Sequence, residues 1–153
     1  MRIDIWVGLG ILILALSNPL RAQVVLSEVM PDPGGLDHHD EYIELVNTSE
    51  IELVDLEGWH LGSGEDLDLL VDKGNGLVLK PGQFALVLDG SYFGNSTTYE
   101  PLHPDVVLLA IQDRAFGRAG WPNSREGTVI LSTAGGDTVE IFRYPPAEQS
   151  GFS

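Results

Sequence analysis

The sequence predicts a single all-β sandwich, and three observations carry that expectation. Short apolar runs alternate with clusters of Gly, Pro, Asn, Asp and Ser, which is the punctuation of strands and turns. No window sustains a helical hydrophobic period. The 153 residues, with 18 Gly and 9 Pro, suit one core with frequent chain reversals.

The first segment, Met1–Ala22, reads as a secretory signal peptide. Arg2 opens it, the apolar run Ile5–Leu16 follows, and Ser17, Asn18, Pro19 and the small Ala22 close it. The run is short of the ~20 residues that a bilayer span needs. Cleavage after Ala22 is expected, with a retained anchor as the alternative; Leu20 is larger than the small residue preferred at its position. Either way the domain is expected outside the cytoplasm, as a secreted, periplasmic or cell-surface protein.

From Gln23 the strands follow in order. Val24–Val29 is the first, with Ser27 and Glu28 marking a half-exposed face. Pro31, Pro33, Gly34 and Gly35 then stop any ladder, because proline lacks the donor and glycine admits positive φ. Glu41–Asn47 is the second strand, with Ile43 and Leu45 on one face and Tyr42, Glu44 and Val46 on the other. After the turn Asn47–Ser49, Val54–Leu56 leads to Gly58-Trp59-His60-Leu61, with Trp59 expected over the core. Leu67–Val71 and Leu77–Leu79 flank Asp72–Gly76 as an expected hairpin. Phe84–Leu88 is nearly all apolar and reads as a central strand covered on both faces. A long polar loop, Asp89–Pro104, is expected to be peripheral or functional. Val106–Ile111 is another buried strand. A second polar loop, Gln112–Arg125, precedes the clearest hairpin, Thr128–Ser132 with Thr138–Phe142. The core is expected to close over Leu45, Trp59, Leu86 and Leu131.

Charge and composition narrow the partners. The whole chain carries −15, and Met1–Ala22 with Arg2, Arg21 and Asp4 is net positive, so the remainder is more acidic still. Such a field repels phosphate backbones and anionic lipids. Arg114, Arg118 and Arg125 are too few to make a nucleic-acid surface. Cysteine is absent, which removes disulfides, thiolate nucleophiles and cysteine metal sites.

The densest group of potential ligands is Asp37, His38, His39, Asp40, Glu41 and Glu44. Adjacent histidines in extended chain point apart, and no His-Glu-x-x-His spacing exists. A solvated loop is the plain reading; calcium held by Asp32, Asp37 and Asp40 is the alternative. Asp66, Asp68 and Asp72 before Gly74 and Gly76 lack the closing glutamate of a calcium loop. For hydrolysis there is no Gly-x-Ser-x-Gly, and Glu41 and Glu44 fall on opposite faces of a regular strand. The Asn-x-Ser/Thr sequons at Asn47 and Asn95 are taken as chance. Trp121, near Phe116 and Tyr99 in the chain, is either core or an exposed contact surface; core packing is favoured.

The order of Ser27-Glu28-Val29, Glu41-Tyr42-Ile43-Glu44-Leu45-Val46-Asn47 and Val54-Asp55-Leu56-Glu57-Gly58-Trp59-His60-Leu61 resembles the lamin tail domain. Leu79-Lys80-Pro81-Gly82-Gln83-Phe84 and the run from Gly120-Trp121-Pro122-Asn123-Ser124 through Val129-Ile130-Leu131 to Gly136-Asp137-Thr138-Val139 extend the likeness over about Val24–Tyr144. The resemblance implies an immunoglobulin-like β-sandwich of the bacterial exported type. It also implies a non-catalytic binding or tethering module, with no catalytic residues to carry over. Members often continue past a Gly-x-Ser element into Leu-Glu-Arg, whereas this sequence ends at Gly151-Phe152-Ser153, so a C-terminal truncation is expected.

The expectation is thus a signal peptide over 1–22 and one lamin-tail-like sandwich over 23–153. It has no catalytic, cofactor or metal residue, no nucleic-acid partner and no membrane span after cleavage. Its partner is a protein or envelope component. The alternatives are an accessory domain of a secreted hydrolase or nuclease, and a calcium-dependent adhesion domain using the acidic loop around Asp37 and Asp40.

Overall fold

A computed structural model describes residues 23–33, 37–64 and 66–146, with backbone alone at 37 and 38. The expected signal segment Met1–Ala22 and the tail on which the expected truncation rests lie outside the described residues. The strands are β1 (Val24–Met30), β2 (Tyr42–Asn47), β3 (Val54–Asp55), β4 (His60–Ser63), β5 (Asp66–Asp72), β6 (Val78–Leu79), β7 (Phe84–Leu88), β8 (Val107–Ile111), β9 (Gly127–Ser132) and β10 (Thr138–Tyr144). One helical turn, Asp37–Asp40, precedes β2.

Eight strands pair in the order β1-β2-β7-β8-β5-β4-β9-β10, and β3 pairs with β6 apart from them. The corner is β5. Its first half, Asp66–Leu69, pairs with β4, and its second half, Leu70–Asp72, pairs with β8. One strand therefore passes from one layer of the sandwich to the other. The outermost strands, β1 and β10, come back beside each other, and the Leu26 N–H donates to the Glu140 carboxylate at 2.7 Å. Both carry a register shift, between Leu26 and Glu28 in β1 and between Thr138 and Glu140 in β10. A bulged edge whose free donor is capped by a carboxylate is a poor template for strand addition.

The period-two reading of Tyr42–Asn47 holds: Ile43, Leu45 and Asn47 are buried while the residues between are half-buried. Within β7, which is central between β2 and β8, Ala85–Leu88 are all buried. The β9–β10 hairpin forms as read. Leu45, Leu61, Leu109, Val129, Leu131 and Phe116 are among the side chains filling the space between the layers, with Trp59 packed at its margin.

Three expectations are corrected. The Leu67–Val71/Leu77–Leu79 hairpin does not form, because β6 pairs with β3 instead. The Asp72 carboxylate accepts the N–H groups of Gly74, Asn75 and Gly76 at 2.8–3.0 Å, which curls the chain away from the ladder and holds that acid below its ordinary pKa. Leu86 does not join the inter-layer core. It faces the opposite side of β7, in a separate cluster with Leu88 and Tyr92.

That second cluster explains the third correction. The β7–β8 pair is parallel, so the chain must return along the sheet before β8 can start. The stretch read as the polar loop Asp89–Pro104 is this crossover, packed on the sheet rather than peripheral to it. Tyr92, Phe93, Tyr99 and Leu102 lie over Leu86, Leu88 and Leu108. Tyr99 stacks on Tyr92 at 5.8 Å and meets Tyr42 edge-on at 5.1 Å, and its hydroxyl donates to the Asp40 carbonyl. Tyr99→Phe is expected to lower stability by about 1 kcal/mol, measured by urea unfolding; an unchanged midpoint would show that the crossover is held by packing alone.

Candidate functional site

The ladder registers place the ends of β1, β2, β7, β8, β5, β9 and β10 nearest Met30, Glu41, Asp89, Ile111, Asp68, Gly127 and Tyr144 together at one end of the sandwich, the loop pole. The helical turn and both long connections meet there. Four acids at this pole are buried: Asp40, Glu41, Asp68 and Asp89. A buried carboxylate is costly unless donors face it, and here the donors come from the loops.

Glu41 continues the inward face of β2 and accepts the Trp121 N–H with both oxygens, at 3.0 and 3.2 Å. Gly120 allows this approach. Its φ is +82°, and a Cβ there would stand 2.8 Å from the Glu41 carboxylate. Trp121 is buried and stacks on Phe116 at 5.0 Å, so the core reading of Trp121 holds. Asp40 accepts from the Thr98 hydroxyl at 2.8 Å. Asp89 accepts the Ser91 N–H at 2.6 Å, and the Phe116 N–H and Ser91 hydroxyl also face it; burial nevertheless pushes its pKa up.

Asp68 holds the Gly117 N–H, yet burial first, and then the Asp113 and Asp66 carboxylates, push its pKa up to about 6. Asp66 pairs with Arg118 at 2.9 Å. One oxygen each of Asp40, Asp68 and Asp89 is buried without a hydrogen-bond partner.

His39, Ser91 and Asp89 form a constellation that the sequence did not reveal. His39 Nδ1 lies 2.7 Å from Ser91 Oγ. In a nucleophilic triad the acid orients the far side of the imidazole and the serine opens to substrate. Here acid and imidazole both engage the serine, and Ser91 is buried. The group ties the helical turn to the crossover. No motif could have announced it, since 52 positions separate His39 from Ser91 and no Gly-x-Ser-x-Gly surrounds Ser91.

Of the expected calcium set, Asp40 is turned inward, Asp32 is exposed, and the Asp37 side chain is outside the described residues. Among the described residues no group of three or more His, Asp or Glu side chains is arranged to hold a metal ion. Among them too, no helix is long and apolar enough to cross a membrane.

All four tyrosines ionise late. Burial is the first cause in each, and it moves Tyr99 and Tyr144 up to about 12, while Tyr42 and Tyr92 are also raised. Folded values above the unfolded value of 10 mean that the contribution to stability is complete below pH 10 and lost as pH rises through about 12. Ultraviolet difference titration of the folded protein is expected to show a phenolate signal at pH 10 well below that of free tyrosine, with Tyr99 and Tyr144 still protonated. A full phenolate signal at that pH would contradict the burial of these rings.

The arrangement is a set of acidic anchors, each gripping a loop by a donor from its backbone or a hydroxyl. The family model of the Lamin Tail Domain matches residues 18–146, the described sandwich and the few residues before it. The chain belongs to the lamin tail domain family. Membership agrees with the two-layer all-β architecture and with the non-catalytic, immunoglobulin-like interaction modules of that family. No curated protein matches the chain.

Proposed function

We propose that this lamin tail domain is an exported, non-catalytic binding module, and that its partner is a protein or other envelope component outside the cytoplasm. The observation that carries the reading is the use of the polar groups at the loop pole. Glu41, Asp68 and Asp89 face backbone N–H groups, and Asp40 faces a hydroxyl, as scaffolding carboxylates do. An acid–base pair for catalysis would instead face an open cleft. The −15 charge supports a partner other than nucleic acid. The N-terminal apolar run supports export.

The test is expression of the full chain in a bacterial host, followed by cell fractionation and N-terminal sequencing. The product is expected outside the cytoplasm, beginning at Gln23. Photo-crosslinking groups on the exposed surface are expected to give a discrete adduct with an envelope or secreted protein. Retention of the uncleaved chain in the cytoplasm would overturn the localisation. Turnover of ester, glycoside or phosphodiester substrates by the purified chain would overturn the non-catalytic reading.

A further inference from the structure

The loops at the loop pole are tied down and the β1–β10 edge is partly capped, so neither is an open docking surface. The opposite end of the sandwich differs. From the turn after β2 through β3 the chain reads Glu50-Ile51-Glu52-Leu53-Val54-Asp55-Leu56-Glu57. Val54 and Leu56 are buried in the core, whereas Ile51 is 83% exposed and Leu53 64%. Val78, 43% exposed, lies on the outer face of the β3–β6 pair, because Val54 opposite Leu79 forms the inner one. Continuing that register sets Leu53 diagonal to Val78, close enough for their side chains to share one contact surface. Leu53 and Val78 thus face water on the outer side of this small two-stranded element, and Ile51, two residues before Leu53 in the bend that leads into it, is the most exposed of the three.

Their surroundings choose the occupant. Glu50, Glu52, Asp55 and Glu57, which alternate with or follow these residues along the chain, are all exposed, and the Gln23 side-chain amide bonds the Glu52 carboxylate. Against these four acids stands Lys80, one residue beyond β6. A second copy of the same strip would bring two acidic rims face to face, and like charges so placed are repelled. Anionic lipid is excluded by the same field. Complementarity is met by a segment carrying aliphatic side chains between lysines or arginines.

We propose that Ile51, Leu53 and Val78, with their acidic rim, dock a basic, aliphatic-bearing peptide segment of a partner protein. This rests on the binding-module reading and gives it a surface and a ligand chemistry. Aliphatic contact supplies the part of the affinity that salt does not remove, and the rim supplies attraction and orientation.

The test uses a synthetic peptide of alternating Lys and Leu, with a lysine-only peptide of equal charge as control, and two-dimensional NMR of the folded chain. The alternating peptide is expected to shift the amide signals of residues 50–57 and 78. The double variant Ile51→Ser, Leu53→Ser is expected to weaken its binding at least tenfold while the control peptide binds as before. The single variant Val78→Ser is expected to act in the same direction. All three positions are exposed, so thermal unfolding of the variants is expected to match the parent. Shifts spread over the whole acidic surface, or a double variant that binds like the parent, would overturn the proposal. So would concentration-dependent broadening of these signals without peptide, which marks self-association. Loss of binding to phosphatidylcholine vesicles in the same double variant would equally overturn it, in favour of a lipid surface. Peptide shifts confined to another face would remove this strip and leave the binding module standing, whereas that reading falls only to the export and turnover experiments.

Discussion

Replacing Glu41 with alanine is expected to lower the unfolding free energy by about 3 kcal/mol, the cost of orphaning a buried donor and opening a cavity beside it. Both carboxylate oxygens accept the Trp121 N–H, and Trp121 carries the stack on Phe116 deep in the core. Removing the acceptor leaves a buried N–H with nothing to bond and frees the Ala119–Trp121 segment from β2. For a domain of this size the midpoint is expected to fall by roughly 10 °C. Glu41→Gln keeps one acceptor at the same reach and is expected to recover about half of the loss. Near-ultraviolet circular dichroism separates the causes, because loosening of the Trp121–Phe116 stack removes tryptophan signal below the unfolding transition. A stable alanine variant with an unchanged near-ultraviolet spectrum would mean that apolar packing, and not the carboxylate, seats Trp121.

Asp68→Asn is expected to raise stability at neutral pH and to have no such effect in acid. Burial, with Asp113 and Asp66 nearby, raises the folded pKa of Asp68 to about 6 from 3.8. A group whose folded value lies above its unfolded value favours folding when protonated. Its contribution is complete below pH 3.8 and is lost as pH rises through about 6. At pH 7 the parent therefore folds with a penalised charge. Asparagine keeps an oxygen for the Gly117 N–H and carries no charge. The gain at pH 7 is on the order of 1–2 kcal/mol, after allowance for solvent reaching the neighbouring loop. Urea midpoints of parent and variant are expected to converge between pH 6 and pH 4. Parallel curves across that window would show that Asp68 is ionised throughout.

What the sequence made legible, and what it hid, follows from the range of the interactions involved. Alternation along Tyr42–Asn47 fixed which side chains faced the core, because a strand has period two and one face is dry. The β9–β10 hairpin was legible because its partners are adjacent in the chain. Adjacency misled at Asp72–Gly76, where the carboxylate turns the backbone aside and β5 divides its pairing between β4 and β8. Leu86 was assigned to the wrong cluster for a related reason: a strand buried on both faces has no alternation to say which side is which. The crossover read as a polar loop over Asp89–Pro104 because its polar residues outnumber Tyr92, Phe93, Tyr99 and Leu102, the side chains that anchor it. The loop pole was least legible. Asp40 and Glu41 read as part of a solvated loop and Asp68 and Asp89 drew no reading as buried groups, and only their donors in the folded chain show all four as buried anchors.

The adjacency of β1 and β10 has a mechanical consequence. Both strands run towards the loop pole, so the chain comes into the sandwich at one end, at Val24, and leaves it at the other, after Tyr144. Tension applied between those two points pulls β1 and β10 lengthwise in opposite senses. The rungs joining them to β2 and β9 are then loaded together in shear and cannot be unzipped singly, so the sandwich resists pulling along this axis more than peeling from one edge.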